Sequence, residues 1–135
     1  MATTCRIPAI LAFASLLAVP VLAQSRTVVT VRGDTKTDEY SYAPATVTVK
    51  RGDALVFKVT GNADHAVAFE RNIPAAAKNA LNAAMPGRVG DLSGPLIKPG
   101  KEYVIVIPRD LPAGKYRFFC LPHRAYDEVG WLEVR

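Results

Sequence analysis

Near its C-terminus the chain reads Cys120-Leu-Pro-His123-Arg-Ala-Tyr-Asp-Glu128, setting a thiol and an imidazole three residues apart and a carboxylate eight residues beyond the thiol. Only two cysteines and two histidines occur in the whole sequence. Cys5 falls in an apolar N-terminal leader, so Cys120 remains as the single thiol, with His65 and His123 as its possible imidazole companions. A soft thiolate with two imidazoles is the trigonal set that copper takes in electron-transfer sites. The sequence holds enough ligands of this kind for one such site and none to spare. A Cys-x-x-His pair alone is also explained by a buried cysteine beside a surface histidine, so the reading depends on where the surrounding elements point these residues.

Side chains alternate along a strand. In Lys115-Tyr-Arg-Phe-Phe-Cys120 this places Tyr116, Phe118 and Cys120 on one face and Lys115, Arg117 and Phe119 on the other. His65, Val67 and Phe69 share a face in the same way. Both metal-binding side chains are therefore expected to point inward from strand ends. Arg26–Arg32 and Ala45–Lys50 are rich in β-branched residues, and Leu55, Phe57 and Val59 mark a third strand after the turn at Arg51-Gly-Asp53. Glu102–Ile107 and Trp131–Val134 complete the strands, while Pro74–Met85 is the one stretch with strong helical preference. Many short strands separated by turns, with one short helix, predict an all-β sandwich in a single domain.

Residues 1–23 combine Arg6, an uncharged apolar run and the small-residue ending Val21-Leu-Ala23, the pattern of a cleavable export signal. The run is shorter than the roughly 20 residues a membrane span needs and contains Pro8 and Pro20. A mature domain of residues 24–135 is expected, periplasmic or otherwise exported, with no membrane span. The formal charge is +5, from 17 basic and 12 acidic residues. The basic residues are scattered, without a dense run or interleaved aromatics, which argues against nucleic acid and for a surface that steers an acidic protein. No acid–base pair, nucleophile triad or phosphate loop is evident, so no enzymatic activity outside a metal site is expected.

One ordered series of motifs covers nearly all of residues 24–135. It comprises Tyr42-Ala-Pro44, Arg51-Gly-Asp53, Asp64-His65-Ala-Val-Ala-Phe69, Asn72-Ile-Pro74, Pro99-Gly-Lys-Glu-Tyr103, Gly114-Lys-Tyr-Arg-Phe-Phe-Cys-Leu-Pro-His123 and Val129-Gly130. In this the sequence resembles the small cupredoxins of the plastocyanin and pseudoazurin type. The resemblance implies a Greek-key β-sandwich of about eight strands that binds one type 1 copper ion, cycling between Cu(I) and Cu(II), with His65, Cys120 and His123 as equatorial ligands. It further implies a soluble, monomeric one-electron carrier. Its redox partners would dock near His123, where Pro122 and Ala125 form an apolar rim and Arg124 supplies a charge.

Two departures from the family pattern stand out. Glu128 occupies the place of the axial methionine, and Met85 lies too far off in the helix to replace it. A hard anionic oxygen favours Cu(II), so Glu128 as fourth ligand implies a lowered reduction potential that falls by about 59 mV per pH unit where reduction is coupled to a proton. Ala66 and Leu121 replace a hydrogen-bonded pair that normally ties the two ligand loops together, and apolar packing is expected in its stead. Two other readings share the ligand types. One is a catalytic or small-molecule site with an open position, as in the related nitrosocyanin; the other is copper or zinc binding without redox turnover.

Overall fold

The computed structural model describes Met1 and residues 23–135, so the leader expected over residues 1–23, with Cys5, lies almost wholly outside the described residues. Eight strands form two four-stranded sheets. β1 (Arg26–Asp34), β2 (Glu39–Ala43), β4 (Ala54–Gly61) and β6 (Glu102–Val106) make the first, in the order β2-β1-β4-β6. β3 (Thr46–Val49), β5 (Ala68–Phe69), β7 (Gly114–Phe119) and β8 (Val129–Val134) make the second, in the order β3-β8-β7-β5. β1 lies parallel to β4 and β3 parallel to β8, and the remaining pairs are antiparallel. Parallel neighbours cannot be joined by a hairpin, so the chain crosses between sheets and closes the sandwich.

The alternation read from the sequence is what fills the space between the sheets. Val29, Val31, Leu55, Phe57 and Val59 face Val47, Val49, Tyr116, Phe118 and Leu132 across one core. Phe118 is fully buried and meets three aromatic rings edge-on: Tyr42 at 4.9 Å, Phe57 at 5.2 Å and Phe69 at 6.2 Å between centroids. Such contacts add to the area each ring buries. Phe118 lies two residues before Cys120 on the same face, so the packing that anchors it also fixes where the thiol points.

Two local differences from the expected elements bear on the site, while the helix forms where it is expected. The short strand β2 is missing from the sequence reading because Glu39-Tyr-Ser-Tyr-Ala43 is acidic and lacks β-branched residues. It forms because β1 offers it a ladder, from Thr30 opposite Ala43 to Asp34 opposite Glu39. The strand expected to begin at His65 is regular only at Ala68–Phe69. His65 itself sits in an isolated bridge with Ile97, their N–H groups donating to each other's carbonyls at 3.0 and 2.7 Å. The helix α1 (Ala75–Ala84) follows Pro74, as helical preference requires, and turns Ala77, Ala80 and Leu81 into the core.

Replacing Phe118 by alanine should cost about 3–5 kcal/mol, as expected for a large aromatic removed from a packed core. Urea unfolding of the metal-free protein measures it, and a loss below about 1 kcal/mol would contradict the central place given to this ring.

Candidate metal centre

β7 ends at Phe119, and the chain then folds back on itself. The His123 N–H donates to the Cys120 carbonyl at 3.2 Å, a 3-10 turn spans Arg124–Tyr126, and Asp127 adopts a left-handed φ of 54°. The Cys120 N–H donates to the Glu128 carbonyl at 3.0 Å. The return is tight enough that Cys120, His123 and Glu128 all turn their side chains to one point, just above the β7–β8 pair. His65 arrives from the opposite loop. Its ring is closed in behind by Gly33, where an added Cβ would lie 2.5 Å from Nε2 and 2.8 Å from Cε1. Nε2 finds no hydrogen-bond partner there, and Nδ1 is the ring atom that faces the cluster.

All four residues singled out from the sequence are brought together. Their donor atoms lie within 4.8 Å of one another. The His123 Nδ1 is 2.9 Å from Glu128 Oε2 and 3.3 Å from Cys120 Sγ. The His65 Nδ1 is 3.8 Å from Sγ and 3.1 Å from Oε2. Oε1 is nearer to that nitrogen, at 2.9 Å, but lies off the hydrogen-bonding direction and has no hydrogen-bond partner. His65, Cys120 and Glu128 expose no surface, and His123 is 9 % exposed.

The chemistry of this donor set fits a metal ion. A carboxylate removed from water costs several kcal/mol unless charge and hydrogen bonds compensate, and here one of its oxygens is orphaned beside two imidazoles and a thiol. A cation among the four atoms supplies what the protein withholds. Met85 is packed in the hydrophobic core and takes no part in the cluster.

Burial pushes the Cys120 thiol up to about 12, and the nearby Glu128 carboxylate adds to the effect. The Ala66 N–H, which donates to Sγ at 3.4 Å, works the other way. Without a metal, Cys120 is therefore a neutral thiol at ordinary pH, and metal binding must displace its proton.

Several contacts around the cluster carry no strong signal in the sequence. The Tyr40 ring stacks on the His123 imidazole, with centroids 3.8 Å apart and planes 18° from parallel. The Tyr42 hydroxyl donates to the Ala66 carbonyl at 3.0 Å. Ala66 is thus held through its backbone on both sides, by Tyr42 and by Sγ. Apolar packing by Leu121 does not replace the lost tie, since Leu121 is 54 % exposed. Arg124 is already engaged, pairing with Glu70 at 3.1 Å and covering the Phe119 ring at 4.4 Å.

Two outcomes follow from this geometry. Gly33→Ala should push the His65 ring aside, costing about 1–3 kcal/mol of stability and weakening metal binding, both measurable by urea unfolding and metal titration. Raising the pH above the ordinary thiol value of 9.0 ionises Cys120 in the unfolded chain but not in the metal-free fold. The fold then holds more protons than the unfolded state, so stability falls with rising pH between about 9 and 12. The urea midpoint of the wild type should drop relative to Cys120→Ala across this range, and parallel profiles would contradict the assignment.

Sequence comparison extends the same pattern. The profile for copper binding proteins of the plastocyanin/azurin family matches residues 29–135. Plastocyanin of Ginkgo biloba is 30% identical over 96 residues, covering 71% of this chain and 89% of that protein. Chloroplastic plastocyanin of Pisum sativum is 30% identical over 94 residues, covering 70% of this chain and 51% of that protein, so the chain spans about half the length of that relative. Among solved structures, oxidized plastocyanin from Dryopteris crassirhizoma superposes with a TM-score of 0.62 at 25% identity, over 81% of this chain and all of that one. A purple cupredoxin from Nitrosopumilus maritimus shares the fold at 17% identity, with a TM-score of 0.55 over 80% of this chain and 98% of that one. With its two-sheet sandwich and its buried nitrogen, sulfur and oxygen donors, the chain belongs to the plastocyanin/azurin family of copper-binding proteins.

Proposed function

We propose that this protein is an exported one-electron carrier that holds a single copper ion between His65, Cys120, His123 and Glu128. The observation that supports the reading best is the convergence of four donor atoms, within 4.8 Å of one another, inside a packed sandwich. Copper held there supplies a Cu(I)/Cu(II) couple. The chain's own residues contribute rigidity: the paired bridge to Ile97 and the wall at Gly33 hold His65, the end of β7 and the Ala66 N–H hold Cys120, and the start of β8 holds Glu128. Donors fixed this way change little between oxidation states, which favours fast electron exchange.

The same burial favours a carrier over a catalytic or small-molecule site. Three donors have no exposed surface, and the fourth lies under Tyr40, so a substrate has no open approach to the cluster. Residues 1–23 act as the export signal of this proposal and residues 24–135 as the working domain. No helix among the described residues is long and apolar enough to cross a membrane.

Visible absorption of the copper-loaded, oxidised protein tests the reading. An intense thiolate-to-copper band is expected, absent in Cys120→Ala and shifted in Glu128→Gln. Replacing the anionic oxygen by a neutral donor removes its preference for Cu(II), so Glu128→Gln and Glu128→Met should raise the midpoint potential by about 59 mV or more, a tenfold change in the one-electron equilibrium. Absence of the band with metal bound, or a stronger preference for zinc, would overturn electron transfer. An unchanged potential in both Glu128 variants would remove Glu128 from the ligand set.

A further inference from the structure

The loop that carries three of the four donors holds itself up from within. Between Cys120 and Glu128 the His123 N–H donates to Cys120, the Tyr126 N–H to His123 and the Asp127 N–H to Arg124, and the Cys120 N–H closes the turn on Glu128. All of these bonds begin and end inside the loop. Among the described residues, the hydrogen-bonded link from residues 121–127 to the rest of the fold is made by Arg124, whose Nη2 donates to Oε1 and Oε2 of Glu70 at 3.1 and 3.4 Å.

Both partners stand close to donors of the cluster. Arg124 directly follows His123, and Glu70 comes five residues after His65, just past the end of β5. Glu70 is itself held in place. Its N–H donates to the Arg117 carbonyl at 3.0 Å, and its Oε1 accepts from Arg117 Nη1, also at 3.0 Å. The Arg124 guanidinium lies over the Phe119 ring, 4.4 Å from its centroid, and Phe119 directly precedes Cys120. Arg124 thus touches the residue before the thiol on one side and reaches the carboxylate beyond β5 on the other.

A lone exposed ion pair contributes little to a fold. Here two guanidiniums share one carboxylate, one of them is stacked on a ring, and the Glu70 side chain is 27 % exposed. The planar guanidinium also does what an ammonium does not, covering the ring while it spans both oxygens. The other holds on this side of the cluster stop short of the same task. The Ala66 N–H on Sγ fixes Cys120 to the His65 loop, three residues before His123. Tyr40 stacks on the His123 ring without tying down the backbone that bears it.

Resting on the electron-carrier reading, we propose that Glu70 is a positioning residue of the metal centre: through Arg124 it clamps the Cys120–His123 span to the segment that follows His65, and so keeps the His123 imidazole in one place whether the site is oxidised or reduced. The clamp lies outside the donor set. One electron passes from the reduced site to its oxidant with no proton moved by the clamp, so what the clamp limits is rearrangement of the donors. Glu70, Phe119, Leu121 and Arg124 all line one open cleft, which leaves the ion pair within reach of water and salt. The freedom of the loop therefore rises with ionic strength.

Amide hydrogen exchange of the metal-free protein tests the clamp, and stopped-flow oxidation of the copper-loaded protein tests its use. In Glu70→Gln and in Arg124→Gln the His123 and Tyr126 amides should exchange about tenfold faster, while amides of the β1–β4 ladder keep their wild-type rates. The double variant should be no looser than either single one, as expected of two groups that act as a unit. Raising salt should speed loop exchange in the wild type and leave the variants unmoved. Glu133→Gln, which breaks the pair with Lys115 at 2.7 Å, should leave the loop as it is. The reduced, copper-loaded protein is then oxidised by ferricyanide, which becomes ferrocyanide, and by tris(phenanthroline)cobalt(III), which becomes cobalt(II). Loosened donors slow both oxidants, whereas altered surface charge moves these oppositely charged oxidants in opposite directions. Slowing of both by severalfold, after correction for any change in midpoint potential, is expected in Glu70→Gln and Arg124→Gln alike. Wild-type protection of His123 and Tyr126 in both variants would overturn the clamp. A loosened loop with wild-type oxidation rates, or with the two oxidants moved in opposite directions, would overturn its part in electron transfer. A protein with no reversible copper couple would remove the carrier reading itself, and the exchange rates of the metal-free protein would still decide whether the clamp exists.

Discussion

A carboxylate with no exposed surface lies against two imidazoles and a thiol, and one of its oxygens has no hydrogen-bond donor. Much of the upper end of the sandwich makes sense as an answer to the charge that this group would carry. Desolvation of an ion is tolerable only when a counter-charge sits at contact distance. A metal ion at the focus of the four donors meets that need, and without one the polar cluster is an island in an apolar core. The site is thus a liability for the empty fold and a source of stability for the occupied one.

Rigidity around the cluster comes from elements with little regular structure of their own. His65 belongs to a bridge rather than a strand, Glu128 directly precedes a strand, and His123 leads into a 3-10 turn. Each is nevertheless tied to something regular. Ile97 pairs with His65, Gly33 of β1 backs its ring, Phe118 of β7 anchors the approach to Cys120, and the hydroxyl of Tyr42 on β2 holds the Ala66 backbone. Both sheets therefore contribute to one small volume, and ordering of the donors is coupled to closure of the whole sandwich.

The parts legible in the sequence were those governed by short-range rules. Alternation placed Tyr116, Phe118 and Cys120 on the inner face, Pro74 marked the start of the helix, and the Cys-to-Glu spacing brought three donors from a single loop. The parts that escaped depend on contacts between distant segments. β2 has weak strand character and exists because β1 pairs with it, so the roof that Tyr40 forms over His123 could not be read from local pattern. The engagement of Arg124 with Glu70, 54 residues away, was equally invisible. At Ala66 and Leu121 the two ligand loops are joined by the Ala66 N–H donating to Cys120 Sγ, and not by packing of the exposed Leu121.

The environment of the Cys120 thiol also bears on the protein's life before it acquires copper. A thiol held neutral and sealed from solvent reacts poorly with disulfides and peroxides, because the thiolate is the reactive species and access is needed. The apoprotein can therefore finish folding and persist under oxidising conditions without forming covalent dimers through sulfur. Metal delivery becomes the event that ionises the sulfur, and from that moment the ion itself occupies the lone pairs an oxidant would attack. Shielding of one side chain thus protects the folded chain until its ion arrives.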